Sequence, residues 1–154
     1  MSARFYTVIG ILIGLVLGLG SGVYLFSDTC IRQFVPTEAC NKNCWTPAKI
    51  TGFITSVWAQ KLPSGTIPDL VYETDKSIMI KHPFPSAPIH YVIFPKKDIK
   101  EVGDFSQDDL TYIEDAYAVM GRYIREEKYH GYKIFTNGPG YQHIGYLHFH
   151  LMAR

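Results

Sequence analysis

The last apolar run of the chain, YLHFHLMAR over residues 146–154, contains two histidines that are separated by one phenylalanine. In a β-strand, residues two apart point to the same face of the sheet. If the run is a strand, its odd-numbered residues face a core, namely Leu147, Phe149 and Leu151. Tyr146, His148 and His150 then lie side by side on the opposite face. Neighbouring imidazoles on one face are typical of a site, because neutral histidine is a nucleophile and a proton donor near pH 7.

The strands that must position these histidines are predicted from short apolar runs bounded by turn residues. LVYET (70–74) and SIMIK (77–81) form a hairpin, and IHYVIFPKK (89–97) follows the proline-rich loop HPFPSAP. YKIFTN (132–137) and residues 146–152 bring the total to about five strands.

Residues 106–129 are the one clear helix of the domain. Its apolar residues recur at spacings of three and four and form one stripe, which comprises Leu110, Ile113, Tyr117, Met120 and Ile124. Ser106 and Asp109 resemble a capping box at its start, and Gly131 fits a stop after its end. Strands before and after a single helix predict a compact α+β fold.

Two separate motifs resemble the histidine triad (HIT) family. APIHYVIFPKKDI (87–99) is followed, in the family's order, by Asn137 and by Gln142 six residues before His148. The family's hallmark alternates three histidines with apolar residues, and this chain has YLHFHLM in that place. The resemblance covers roughly residues 66–152. It implies an antiparallel sheet of about five strands with a long helix against one face, and relatives commonly form homodimers.

The resemblance also implies a reaction and the residues that perform it. His148 corresponds to the family's nucleophile, which attacks the α-phosphorus of a nucleotide and forms a nucleotidyl-histidine that water then cleaves. His150 and His90 correspond to supporting histidines around the phosphate. Asn137 and Gln142 match polar contacts to the phosphate oxygens and the bridging atom. The mechanism requires no metal and no cofactor.

Three positions depart from the family pattern, and they complete the predicted nucleotide- and phosphate-binding set with Gln142. Tyr146 replaces the first triad histidine. His143 occupies a position that is usually a small hydroxyl residue, where it either protonates a leaving group or fills the turn. Relatives carry His-Asp for the ribose hydroxyls where this chain has Lys81-His82, so no carboxylate remains there to hold a diol.

The N-terminal region predicts a membrane anchor. Residues 5–26 contain no charge and, as a helix, span about 33 Å at ~1.5 Å per residue, close to the hydrocarbon core of a bilayer. A cleaved signal peptide has a shorter apolar region, so we expect a retained single-pass anchor. Arg4 precedes the span, whereas Asp28 and Arg32 follow it, which favours a cytoplasmic N-terminus with the domain on the periplasmic or equivalent side. Gly10, Gly14 and Gly18 line one helix face and would permit contact with a partner helix.

The sequence therefore divides into an anchor (1–27), a cysteine-containing linker (28–49) and a HIT-like domain (50–154). Cys30, Cys40 and Cys44 predict one disulfide in an oxidising compartment, with the pairing open. The alternative, a zinc site, lacks a histidine within the cysteine cluster. A net charge of +1 without a basic run gives no indication of a nucleic-acid footprint, so we expect no nucleic-acid partner.

Three functions remain open. The principal hypothesis is a membrane-anchored nucleotidyl hydrolase that cleaves a soluble nucleotide phosphoanhydride or phosphoramidate. The second hypothesis is that the substrate is a lipid-linked nucleotide. It rests on the bacterial CDP-diacylglycerol pyrophosphatases, which have a similar layout of anchor, cysteines and H-x-H histidines. The third hypothesis is a catalytically degenerate subunit with a structural or docking role in a membrane complex.

Overall fold

The computed structural model describes residues 3–30, 32 and 46–154 of the chain. Within these residues lie one five-stranded sheet and three α-helices: α1 (Ala3–Phe26), α2 (Pro47–Lys61), β1 (Leu70–Glu73), β2 (Ser77–Lys81), β3 (Ile89–Pro95), α3 (Leu110–Glu126), β4 (Tyr132–Phe135) and β5 (Phe149–Ala153). The strand order is β1-β2-β3-β5-β4, and all neighbouring strands are antiparallel. The predicted α+β class with five antiparallel strands is confirmed.

The sheet is covered on both faces by separate apolar clusters. One cluster packs α3 residues such as Met120 against Met79 and Ile93 of the sheet, and it includes the predicted core residues Leu147, Phe149 and Leu151. The other cluster contains Val92, Phe94 and Tyr146, together with Ala59 of α2. The alternation read from the last run is therefore observed, although β5 itself begins only at Phe149.

The capping box predicted at the start of the long helix is present. The backbone N–H and the hydroxyl of Ser106 both donate to Asp109 Oδ2, at 2.6 and 2.9 Å. The helix ends earlier than predicted, because Lys128 adopts a left-handed φ of 55° before Gly131 is reached. Tyr117 of the predicted apolar stripe is 49% exposed, and its ring makes an edge contact with the core residue Phe149.

Helix α2 begins inside the segment predicted as a linker. Thr46 caps its first turn by accepting from the Lys49 backbone N–H at 3.3 Å, and Pro47 occupies the first helical position. Sequence periodicity does not reveal this helix because its buried side consists of small residues, Gly52, Ser56 and Ala59, whereas Ile50 and Ile54 are exposed. The Thr-Pro pair was the only start signal.

Two glycines allow α2 to lie directly against the segment that precedes His148. A Cβ built on Gly52 would lie 2.2 Å from the carbonyl oxygen of Gly145, and one on Gly145 would lie 2.6 Å from that of Ala48. In place of side chains, the Gly145 N–H donates to the Ala48 carbonyl oxygen at 2.7 Å. The two backbones are thereby hydrogen-bonded without an intervening side chain.

Helix α1 contains one stretch, Tyr6–Phe26, that is long and apolar enough to cross a membrane, and none of it is buried in the structure. The helix meets α2 only near its end. There, the rings of Phe26 and Phe53 stack with centroids 5.1 Å apart. Lys61 forms an ion pair with Asp28 and lies 5.1 Å from the ring centre of Tyr24.

Among the cysteines, Cys30 carries a free thiol. Its Sγ donates to the Asp98 carbonyl oxygen at 2.8 Å, and burial raises its pKa. Cys40 and Cys44 lie outside the described residues, so the predicted disulfide remains a prediction.

Candidate active site

Two neighbouring strands bring predicted site histidines to one face of the sheet. In the register of β3 and β5, Val92 lies opposite His150 and His90 lies opposite Met152. His90 and His150 are therefore diagonal neighbours, with ring centres 5.2 Å apart. His148 precedes β5, and its ring centre is 5.0 Å from that of His150. All three side chains are buried.

The hydrogen-bond partner of His148 determines which of its ring nitrogens carries the proton. Nδ1 lies 2.7 Å from the carbonyl oxygen of Tyr146. A carbonyl oxygen only accepts, so Nδ1 is the donor and the lone pair of the neutral ring is on Nε2. His148 therefore has the tautomer that a nucleophilic Nε2 requires.

His90 and His150 are joined by a hydrogen bond whose direction follows from the backbone. The Ser86 N–H donates to His90 Nδ1 at 3.3 Å, which leaves the hydrogen of that ring on Nε2. His90 Nε2 then donates to His150 Nδ1 at 3.0 Å. The hydrogen of His150 is consequently on Nε2, which is buried and has no hydrogen-bond partner within the described residues.

Burial keeps these imidazoles neutral. It lowers the pKa of His148, against the opposing effect of the bond to the Tyr146 carbonyl. Burial and then the neighbouring imidazoles lower the pKa of His150 to about 3. The pKa of His90 is lowered by burial and by His82. At neutral pH the cluster therefore offers one free lone pair, on His148.

The backbone that orients His148 is held from the end of β3. The Tyr146 hydroxyl donates to the Pro95 carbonyl oxygen at 2.5 Å, and the Leu147 N–H donates to the Ile99 carbonyl oxygen at 2.6 Å. The second bond holds the peptide group that contains the Tyr146 carbonyl, and the first holds the Tyr146 side chain. The group that sets the tautomer of His148 is thus a main-chain carbonyl and not a side-chain acceptor.

A buried ion pair supports the same segment. Two guanidinium nitrogens of Arg32 contact the two carboxylate oxygens of Asp98 at 2.6 Å each, and the side chains are only 2% and 1% exposed. Arg32 also donates to the Gly145 carbonyl oxygen at 2.9 Å, and the Cys30 N–H donates to Asp98 at 2.8 Å. Sequence analysis missed both charged residues as supports of the site, since no local pattern marks an ion pair between residues 66 positions apart.

The structure does not bring the Tyr146 side chain to the histidines. Its side chain is fully buried, and its ring packs beside Phe94 with centroids 6.2 Å apart. Its hydroxyl already donates to Pro95. The residue contributes to the site through its carbonyl oxygen.

Asn137 lies two residues beyond the end of β4, close to the segment that carries His148. The hydroxyl of the preceding residue, Thr136, donates to the His148 carbonyl oxygen at 2.7 Å. Asn137 itself is half-buried, and its side-chain amide makes no hydrogen bond within the described residues. The amide is therefore available to a ligand near His148.

The remaining loop residues lie apart from the cluster. Gln142 donates to the Lys100 carbonyl oxygen at 3.3 Å, and its Oε1 is buried without a partner in the described part of the chain. It lines a cavity of about 690 Å³ beside the start of α2, along with Arg32 and Lys100. His143 is exposed, and its carbonyl oxygen accepts from Thr51. Neither side chain contacts a histidine of the cluster among the described residues.

His82, in contrast, joins the cluster. Its ring stacks on that of His90 with centroids 4.1 Å apart and an interplanar angle of 12°. His82, His90 and His150 each present a nitrogen within 4.8 Å of the others, a spacing that permits a shared ligand. The structure thus places four of the eight predicted site residues in one contiguous group.

Comparison with known proteins agrees with this geometry. The family model described as "Scavenger mRNA decapping enzyme C-term binding" matches residues 58–154. An uncharacterized HIT-like protein of Chlamydia muridarum is 31% identical over 105 residues, which cover 66% of this chain and 83% of the relative.

Solved structures with the same fold include a histidine triad protein from Clostridium difficile, at 25% identity and a TM-score of 0.57, which covers 66% of this chain and 89% of that one. A HIT family hydrolase from Clostridium thermocellum has 26% identity and a TM-score of 0.55, and covers 66% of this chain and 88% of the other. With its five-stranded sheet and neighbouring histidines, the chain belongs to the histidine triad (HIT) family.

Proposed function

We propose that this protein is a nucleotidyl hydrolase that cleaves a nucleotide phosphoanhydride or phosphoramidate through His148. The observation that carries the proposal is the hydrogen bond from His148 Nδ1 to the Tyr146 carbonyl, which leaves Nε2 unprotonated. The likeness to a HIT family hydrolase of known structure supports the reaction class.

In the proposed first step, the Nε2 lone pair of His148 forms a bond to the α-phosphorus as the bond to the leaving group breaks. The leaving group departs with the bonding electron pair and takes up a proton from solvent or a nearby donor. Water then attacks the same phosphorus, the P–N bond breaks, and the electron pair returns to Nε2. Two displacements in sequence retain the configuration at phosphorus.

The proposed stabiliser of the transition state is His150. Its Nε2–H is buried, has no hydrogen-bond partner in the described part of the chain and belongs to a ring next to that of His148, so a phosphoryl oxygen would satisfy this donor. Donors that are already oriented toward developing charge cost no reorganisation during the reaction. Asn137 provides a second neutral donor on the neighbouring strand end.

The direct test is covalent trapping. The full chain, kept in detergent because of α1, is incubated with a radiolabelled nucleotide and quenched within seconds. We expect an acid-labile label on the protein, since phosphoramidates of histidine hydrolyse in acid. A protein that neither binds nucleotide nor takes up label from soluble or lipid-linked substrates would contradict the hydrolase proposal.

The pH dependence of the reaction should reflect the lowered pKa values. Because burial lowers the pKa of His148, its neutral form persists below pH 6.5, the ordinary value for histidine. We therefore expect kcat/KM to stay constant from about pH 8 to about pH 6 and to fall only at lower pH. The free energy of unfolding should also decrease in acid. The contribution of His150 is fully present above the pKa of an unfolded histidine, and it is lost progressively as the pH falls toward the pKa of about 3 in the folded protein. An acidic limb of the rate profile centred at or above pH 6.5 would contradict this prediction.

We also propose that α1 anchors the protein in a membrane. A helix of 21 consecutive uncharged and mostly apolar residues that is not buried in the structure is costly in water and matches the thickness of a bilayer. The charges that flank it favour a cytoplasmic N-terminus and a domain on the opposite side. After extraction with alkaline carbonate, the protein should remain entirely in the membrane pellet, as judged by immunoblot. A shortened chain in the supernatant would indicate a cleaved signal peptide instead.

The proposed partners follow from the same helix and from the family. Side chains at Gly10, Gly14 and Gly18 would meet nothing within 4 Å in the structure, so this face is open to a second helix. We propose that the partner helix belongs either to a second copy of this chain, which would give a homodimer, or to another subunit of a membrane complex.

A further inference from the structure

The ring nitrogens of the four clustered histidines can be assigned completely from their hydrogen bonds. His82 Nδ1 accepts from the Phe84 N–H at 3.0 Å, so the hydrogen of this ring is on Nε2, as it is in His90. The Nδ1 lone pairs of His90 and His150 are likewise occupied by donors. His148 is the exception, because its Nδ1 donates to a carbonyl oxygen.

After these bonds are counted, three groups are left for a ligand among the described residues. They are the lone pair of His148 Nε2, the N–H of His150 Nε2 and the N–H of His82 Nε2. The N–H of His90 is engaged by His150. The donor of His150 lies beside the nucleophile, whereas the donor of His82 belongs to a ring that stacks on His90 and whose centre is 5.7 Å from that of His150.

This assignment argues against a metal ion at His82, His90 and His150, although their nitrogens are close enough for one. A metal needs a lone pair from each ligand. To supply one from Nε2, His82 and His90 would have to carry a hydrogen on Nδ1, where it would oppose the N–H groups of Phe84 and Ser86. The backbone N–H groups of Phe84 and Ser86 thus fix the tautomers of His82 and His90, so that each ring presents an Nε2–H to the site.

The same assignment argues against a diol near His82. Two vicinal hydroxyls are best held by an acceptor such as a carboxylate, and His82 offers only an N–H. Among the described residues, no carboxylate is hydrogen-bonded to any of the four imidazoles. A positive charge lies beside the cluster: Lys133 is 4.7 Å from the ring centre of Phe135, which stacks on His150.

We propose that His82 is a second anion-binding group, which holds a phosphoryl oxygen next to the reacting phosphate and makes the site select diphosphate-linked nucleotides over phosphoramidates. A diphosphate has acceptor oxygens on both phosphorus atoms, so it satisfies the donors of His150 and His82 at once. A nucleoside phosphoramidate has one phosphorus, so any acceptor for His82 would have to come from the same phosphoryl group that reacts with His148. This inference rests on the proposed hydrolase function and narrows its substrate class.

Binding of inorganic ions tests the proposal without turnover. By calorimetry at pH 7.5, the full chain in detergent should bind inorganic pyrophosphate about tenfold more tightly than inorganic phosphate, the effect of one added hydrogen bond to a charged group. His82→Phe keeps the stacked ring but removes the donor, so it should lose this tenfold preference while phosphate affinity is retained. The matched control is His130→Phe, at an exposed histidine outside the cluster, which should bind like the wild type.

Several results would overturn the inference. It fails if the wild type and His82→Phe bind pyrophosphate with equal affinity. It also fails if the wild type binds neither pyrophosphate nor phosphate. Tight binding of Zn²⁺ that depends on His82 would show a metal site instead. Should His82→Phe fail to fold, ¹⁵N NMR of wild-type histidines decides the matter, because a hydrogen on His82 Nδ1 rather than Nε2 is incompatible with the proposal.

Turnover separates this inference from the hydrolase function itself. His82→Phe should lower kcat/KM about tenfold for a diphosphate-linked nucleotide and should lower that for a nucleoside phosphoramidate distinctly less. An equal loss for both substrates would refute the role of His82 while the hydrolase function stands. If the wild type turns over neither substrate, the hydrolase function fails, and the ion-binding result remains interpretable. A water-soluble diphosphate ester and CDP-diacylglycerol in mixed micelles, assayed in parallel, identify the source of the diphosphate.

Discussion

His148→Asn is expected to abolish covalent labelling of the protein by nucleotide and to lower turnover by about 10³-fold or more, as removal of a covalent nucleophile does. An amide nitrogen has no available lone pair, whereas the wild-type ring presents one on Nε2. The measurement is the amount of acid-labile label after a rapid quench, together with kcat/KM on the same substrate.

Two further asparagine variants make that result specific. His150→Asn should reduce the label less, because an amide N–H partly replaces the donor that His150 supplies. His130→Asn, at an exposed position outside the cluster, should behave as the wild type. Equal labelling of His148→Asn and the wild type would exclude His148 as the nucleophile. If no form of the protein is labelled, a structural or docking role in a membrane complex becomes the better hypothesis.

Arg32→Met is expected to destabilise the fold by about 3–5 kcal/mol, the usual cost of leaving a buried charge without its partner. The carboxylate of Asp98 is 1% exposed and would keep only the N–H of Cys30 among the polar partners that hold its oxygens. The free energy of unfolding, measured by denaturant titration of the full chain in detergent, gives the size of the loss.

A surface pair supplies the matched control. Arg122 and Glu126 are 56% and 50% exposed, and Arg122→Met should destabilise the fold far less than Arg32→Met, because solvent screens an exposed pair. The double variant Arg32→Met/Asp98→Leu should recover much of the loss, because replacing both partners of a buried pair by apolar residues is often neutral. An Arg32→Met protein as stable as Arg122→Met would show that the buried pair does not support the fold.

Local patterns in the sequence were sufficient for the sheet, for α3 and for the shared face of two histidines. Alternation placed His148 and His150 on one face, and spacings of three and four placed α3. Helix α2 was missed, since its buried side is formed by small residues rather than large apolar ones.

The parts of the site that depend on long-range geometry had no local signal. The ion pair between Arg32 and Asp98 joins residues that are far apart in the chain. The side chain of Tyr146 is buried because its ring packs in the second apolar cluster and its hydroxyl donates to the Pro95 carbonyl oxygen. Strand alternation specifies neither of these contacts. The tautomers of His82 and His90 follow from backbone N–H groups in the preceding loop, which only the folded chain positions.

The junction between α1 and the domain is short. Phe26 ends the helix, and Cys30 is already bound to Asp98 of the domain, so at most about 14 Å of extended chain separates them. If α1 spans a bilayer as we propose, the domain cannot sample the aqueous phase as a freely tethered module would. A substrate dissolved in the same leaflet would then meet the histidines by two-dimensional diffusion, at a raised effective concentration. A soluble nucleotide would gain no such advantage. For a lipid substrate, the rate should therefore depend on its mole fraction in the bilayer and not on its concentration in the total volume.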